Sequence, residues 1–208
     1  IRKNSLGEIH PDYANSLNNL AILYHEIGDY KSAEPLLNRV TEIYKQTLGD
    51  EHPSYASSLN NLGVLYTDMG YYKSAELIKK QVLLSREKSL GENHPDYASS
   101  LNNLGVLYSI IGLHATAEAF YVKALEVYKN ALGQDHQEYS SCLGNLGVLY
   151  SDLGDYKAAE SYYRQALNIE KKTLGQEHPD YAASLNNLGI LYTEKGDYKA
   201  AESFYKQA

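Results

Sequence analysis

The side chains in this chain that are able to do chemistry recur at a constant step. Histidines stand at His10, His52, His94, His136 and His178, 42 residues apart each time. Five imidazoles on one period invite a metal reading. Zinc, however, needs its ligands within about 2.1 Å of one point. One histidine per repeat keeps neighbours at least a helix spacing, about 8–10 Å, apart. These histidines are therefore read as structural loop residues, and no metal or other cofactor is expected. Cys142 is the only cysteine, and it stands where Ser16, Ser58, Ser100 and Ser184 stand in the other copies. A small, packed side chain is expected there. No Ser/His/Asp or Cys/His constellation and no phosphate-cradling glycine loop is seen, so these residues are not read as an enzyme.

Amides and acids are the more informative groups. Asn18-Asn19, Asn60-Asn61, Asn102-Asn103 and Asn186-Asn187 form pairs, and Asn145 stands alone because Gly144 replaces its neighbour. Asn is a mediocre helix former, since its amide competes for backbone hydrogen bonds. A pair in mid-helix, repeated, therefore costs propensity each time. Two readings stay open. The amides bind the backbone of a peptide, or they bond the neighbouring repeat and set its position. The first Asn of a pair shares a face with residues at i+4, i+7 and i+8, such as Val64, Thr67 and Asp68. That face carries Ile22, Val64, Val106, Val148 and Ile190, with Glu26, Asp68, Asp152 and Glu194, and no Lys or Arg. The acids stand in a last helical turn, where the dipole disfavours them; Lys31, Lys73, Lys157 and Lys199 are placed to offset this.

The elements that position these groups follow from the period. A fixed step of roughly 20–50 residues marks a repeat architecture. In the second copy Gly49 ends one helix, Asp50 to His52 form a loop, and Pro53 suits the first turn of the next. Leu59, Leu62, Gly63 and Tyr66 then recur at i, i+3, i+4 and i+7, one helical stripe. Gly70 ends that helix. Tyr72, Ala75, Val82 and Leu83 mark a second one, running to about Leu90. Gly63 and Ala75 are small, so the paired helices approach closely. Each repeat is therefore an antiparallel helix pair, and no strand is expected. The recurring tyrosines Tyr24, Tyr66, Tyr108, Tyr150 and Tyr192, with Tyr13, Tyr55, Tyr97, Tyr139 and Tyr181, fall on packing stripes.

Leu143, Leu146, Gly147, Tyr150, Gly154, Tyr156, Ala159, Tyr163 and Ala166 of the fourth copy carry a resemblance to the tetratricopeptide repeat. The common form repeats every 34 residues or so. The 42-residue step, the Leu-Gly-x-x-His-Pro loop and the Leu-Asn-Asn-Leu run resemble the kinesin light chain type. The resemblance implies an all-α solenoid, a right-handed superhelix whose first helices line a concave groove. On that reading residues 1–10 end a preceding helix and its loop. Repeats follow at about 11–52, 53–94, 95–136, 137–178 and a truncated 179–208 of a single array cut from a longer one. The groove candidates are Asn18, Asn60, Asn61, Asn102, Asn103, Asn145, Asn186, Asn187, Val64, Val106, Val148, Asp68, Asp152 and Glu194. Relatives that clamp a C-terminal carboxylate, or acidic Trp-containing peptides, use basic groove residues, which this chain lacks. Departures from the repeat are Leu37 and Lys79 for the bulky aromatic, His114 for a tyrosine, Gln137 for the loop proline, and Gly144. Loosest packing is expected at the second helix of the second copy and at the fourth loop.

Composition narrows the partners. The chain has 208 residues, 19 Lys plus Arg against 26 Asp plus Glu, and a formal net charge of −7. Phosphate backbones demand clustered cations, so neither nucleic acid nor an anionic membrane is expected as a partner. A single cysteine suits a reducing compartment, hence the cytoplasm. The function expected is a protein–protein interaction scaffold that takes a peptide or partner segment of neutral to basic character. The alternatives are a regulatory or sensor module of a larger protein, and a structural array that self-associates end to end through its open ends.

Overall fold

His52 shows how each first helix of a pair begins. Its backbone is extended, its Nδ1 accepts a hydrogen bond from the Ser54 N–H at 3.1 Å, and Pro53 takes the first helical position. Proline costs nothing there, because that N–H has no partner in the helix anyway. His10, His94 and His178 cap in the same way, accepting from the N–H of Asp12, Asp96 and Asp180. The histidine period is thus a capping period. His136, followed by Gln137 instead of proline, makes no such cap bond.

The computed structural model describes residues 7–208, and the helix end read at residues 1–6 lies outside them. Ten helices and no strand are present among the described residues, an all-α solenoid assembly. Two compact units are distinguished, one up to Glu92 and one from Asn93. The first holds α1 (Pro11–Glu26), α2 (Tyr30–Leu48), α3 (Pro53–Asp68) and α4 (Tyr72–Leu90). The second holds α5 (Pro95–Ile110), α6 (His114–Leu132), α7 (Gln137–Asp152), α8 (Tyr156–Thr173), α9 (Pro179–Glu194) and α10 (Tyr198–Gln207). Within each unit every helix packs on the next, and successive first helices also meet: α1 with α3, α5 with α7, α7 with α9.

Tight turns join the helices of a pair. After α3, Gly70 adopts φ 75°, open to glycine without strain, and the Tyr71 N–H returns to the Tyr66 carbonyl at 2.8 Å. The core lies between the helices of each unit. In the first, Ala14, Val40, Ile43, Tyr55, Leu59 and Val82 form one cluster, and Ala21, Ala33, Leu37, Leu62 and Leu65 another. In the second, Ala159 and Tyr163 pack with Leu188 and Leu191. Ala75, Ala117 and Ala159, the small residues of the second helices, are fully buried.

A second device ties repeats together. The Tyr66 hydroxyl donates to the Glu34 carboxylate at 3.1 Å, Tyr192 donates to Glu160 at 2.7 Å, and Tyr150 donates to Glu118. In each case a first-helix tyrosine reaches the preceding second helix. These hydroxyls are thereby satisfied although their rings pack inside.

Candidate functional site

The amide pairs are where the repeats touch. In the first unit Asn61 Nδ2 donates to Asn18 Oδ1 at 3.0 Å. In the second unit Asn145 Nδ2 donates to Asn102 Oδ1 at 3.0 Å. Both bonds join residues 43 apart, one more than the repeat. The same offset brings His25 Nε2 to Asp68 Oδ2 at 2.6 Å, Gln137 Nε2 to Asp180 Oδ2 at 2.6 Å, and Ser151 Oγ to Glu194 Oε2 at 2.8 Å. Neighbouring first helices therefore run side by side in one register, joined by polar rungs. Of the two readings left open for the amides, bonding to the neighbouring repeat is present at these four asparagines.

The other candidates line the same helices. Asn60 and Asn103 are half-buried, as are Val64, Val106 and Asn187. Asn186 and Val148 are exposed, together with Asp68, Asp152 and Glu194. The structure gathers four of the candidates in one place. Val106, Asn145, Val148 and Asp152 line an open recess of about 290 Å³, with Ser109 and Ile110 beside them and Tyr121 below. In the first unit Asn18 and Asn61 line a second open recess of about 230 Å³ with Asn15, Ser57 and Ser58. Its neighbour Tyr44 donates its hydroxyl to the Asn15 side chain.

The floor of this face is set by a residue 16 positions beyond each first-helix glycine, a pairing not foreseen from the sequence. A Cβ on Gly105 would stand 2.6 Å from the Tyr121 ring, and one on Gly147 would stand 2.4 Å from the Tyr163 ring. One edge of the ring, Cδ1 and Cε1, lies against bare backbone, so only glycine fits. In the first unit the corresponding contact under Gly63 is the Lys79 side chain, at 3.2 Å. Lys79 is 4 % exposed. Burial lowers its amine to about 8, while the nearby Asp68 carboxylate works the other way. The second helix of the second copy thus fills the aromatic seat with a lysine stem.

The acids give this face its sign. Burial raises the hydroxyl of Tyr163, and the Asp152 and Glu194 carboxylates raise it further. Tyr121 is raised by burial, then by Cys142 and Asp152. Two acids from different first helices therefore act on one floor ring. The lysines expected to offset these acids are not their hydrogen-bond partners: Asp68 bonds His25, and Glu194 bonds Ser151. The partner lies on the preceding first helix, because the register brings that helix closest. Cys142 is fully buried, its Sγ donates to the Tyr121 carbonyl at 3.5 Å, and burial pushes its thiol up to about 12. Such a thiol is packing material, not a nucleophile.

Comparisons with known proteins agree with the repeat fold. Tetratricopeptide repeat models match residues 14–54 and 56–96, and again 79–130, 111–172 and 154–208. No curated protein sequence matches the chain. Among solved structures it is similar to BtubC (BKLC) from P. vanneervenii, at 26% identity and TM-score 0.78, covering 95% of this chain and 78% of that one. It is similar to a putative kinesin light chain with nearly identical TPR-like repeats from Podosopora anserina, at 28% identity and TM-score 0.73, covering 95% and 94%. A Rap protein complexed with competence and sporulation factor shares the fold at 16% identity and TM-score 0.77, covering 99% of this chain and 59% of that one. With repeat models matching most of its length, the chain belongs to the tetratricopeptide repeat family, and its solved neighbours include proteins of the kinesin light chain type.

Proposed function

We propose that this chain is a protein-interaction scaffold, with no catalytic role of its own, that holds a peptide or a partner segment against the first-helix face. The observation that carries the reading is the open recess over Tyr121, where Val106 and Val148 offer apolar contact and Asn145 and Asp152 offer polar contact. A peptide backbone suits such a surface, since Asn145, with one N–H given to Asn102, keeps its second N–H and its oxygen for a ligand. The fold is one that relatives use in complexes, as the Rap structure with its competence and sporulation factor illustrates for that protein. The preferred ligand is neutral to basic, because Asp152 and Glu194 are exposed acids of the first-helix face in the second unit, as Asp68 is in the first. Their steering weakens with salt over a Debye length of about 8 Å at physiological ionic strength.

A randomised dodecapeptide library displayed on phage and selected on the whole chain tests this. Selected peptides are expected to carry zero to positive net charge, and Val148→Arg is expected to abolish their binding while leaving the melting temperature unchanged. Replacing Asp68, Asp152 and Glu194 with lysine is expected to turn the preference toward acidic peptides. Enrichment of acidic sequences on the unmodified chain, or binding untouched by Val148→Arg, overturns the reading.

A further inference from the structure

Between α7 and α9 one rung is missing. Gln137 bonds Asp180 at one end and Ser151 bonds Glu194 at the other, each joining residues 43 apart. The register places Gly144 opposite Asn187 midway, two turns or about 10 Å from either bond. That middle rung is Asn18 with Asn61 between α1 and α3, and Asn102 with Asn145 between α5 and α7. Here the acceptor is absent, and Asn187 makes no side-chain hydrogen bond among the described residues.

Packing gives no reason for the glycine. A Cβ at Gly144 would meet no atom within 4 Å, whereas three residues on, Gly147 is pressed by Tyr163 at 2.4 Å. A mid-helix glycine weakens its helix. Gly144 therefore gives up helix stability and a polar rung, and leaves an open space beside an amide with hydrogen-bonding capacity to spare.

We infer that Gly144 and Asn187 form a seat for the side-chain carboxamide of a bound peptide, a glutamine or asparagine that completes the rung. This rests on the peptide-binding reading above. The vacancy has the position and chemistry of the missing asparagine side chain, whose oxygen would accept from Asn187 Nδ2. A carboxylate would accept as well, but Asp180 and Glu194 in the flanking rungs oppose it. An ammonium group could donate to Asn187 Oδ1 but leaves Nδ2 without an acceptor, so it does not complete the rung.

The test uses the whole chain, isotope-labelled for NMR, titrated with acetyl-Ala-Ala-Xaa-Ala-Ala-amide in which Xaa is Gln, Glu or Ala. The Gln peptide is expected to bind about fivefold more tightly than the Ala or Glu peptide, the scale of one net hydrogen bond, and to shift the Asn187 side-chain signals. In Gly144→Asn, which puts back the residue found at this position in other copies, the preference is expected to fall to parity. Asn187→Ala is expected to do the same. If the three peptides bind equally and shift the Val148 methyls, the seat is refuted and the groove reading survives. A Gln preference that persists in Gly144→Asn also refutes the seat. If no peptide shifts Val148 or Asn187, both readings fall.

Discussion

Gly147 and Tyr163 are locked as a pair: a Cβ on the glycine would stand 2.4 Å from the ring edge, well inside van der Waals contact. Tyr163 is 4 % exposed and cannot swing away without emptying the cluster it shares with Leu188 and Leu191. Where the second-helix residue is Leu37 in the first repeat, the first-helix residue is Ala21, and both are buried. The two positions therefore trade size.

Gly147→Ala is accordingly expected to cost roughly 1–3 kcal/mol, the scale of overpacking. Joined with Tyr163→Leu, which recreates the pairing of Ala21 with Leu37, the same change is expected to become neutral or to gain up to about 1 kcal/mol of helix propensity. Urea unfolding of the two single variants and the double variant measures the coupling. Additive effects would show that glycine and ring do not meet.

The helices were legible in the sequence because their punctuation is local. Gly70 ends α3 and Pro53 begins it by backbone preferences that need no neighbour. The contents of the groove floor were not legible, since they depend on an offset between repeats. A period of 42 does not disclose that residue 102 meets residue 145, and the extra residue is set by how far one helix slides along the next. Lys79 reads as a defect in the repeat until its stem is seen lying in an aromatic seat. The histidines stood out at once, yet their work as N-caps required the imidazole to be seen turned back on the second N–H. The alternation of Ala and Glu at Ala33-Glu34, Ala117-Glu118 and Ala159-Glu160 was a signal available from the repeats themselves, and it marks the carboxylates that receive the tyrosines.

Two carboxyls make opposite contributions to acid stability. Partial burial alone would raise Glu160, but hydrogen bonds from Tyr192, Lys195 and Arg164 outweigh it and draw the carboxyl down to about 2. A lowered folded value stabilises above the ordinary value near 4.5 and loses that contribution as pH falls toward 2. Glu170 is 4 % exposed and its Oε2 has no partner; burial raises it above 4.5 despite Ser184 and Ser140. It therefore penalises the folded state at neutral pH, and the penalty fades on acidification. Glu160→Gln is expected to lower the melting temperature at pH 7, and Glu170→Gln to raise it. The Glu160 difference should shrink between about pH 4.5 and pH 2, whereas the Glu170 difference should fade above that range, as pH falls toward 4.5, and melting curves from pH 7 to pH 2 would show both. Parallel curves at all pH values would remove the electrostatic account.

The capping role of the loop histidines separates His94 from His136. His94 Nδ1 accepts from the Asp96 N–H at 3.1 Å, and His136 makes no equivalent bond. His94→Ala is expected to cost about 0.5–2 kcal/mol, the range for losing a side-chain cap. His136→Ala is expected to cost less than half of that in the same denaturation assay. Equal losses would mean that the imidazoles act by packing, and that the hydrogen bond contributes nothing.

The vacant rung has a stability consequence that needs no ligand. Gly144→Asn replaces a mid-helix glycine, for a gain of roughly 0.3–0.5 kcal/mol in propensity. It also supplies Asn187 with the acceptor that Asn145 finds in Asn102 at 3.0 Å. A net hydrogen bond adds about 0.5–1.5 kcal/mol. The total expected is about 1–2 kcal/mol of stabilisation, without overpacking, because nothing lies within 4 Å of the new Cβ. Propensity and hydrogen bond are separated by repeating the substitution in Asn187→Ala, where only the propensity gain should remain. An unchanged gain in that background would mean that the side chains at 144 and 187 do not meet, and the seat inferred between them would lose its geometric basis.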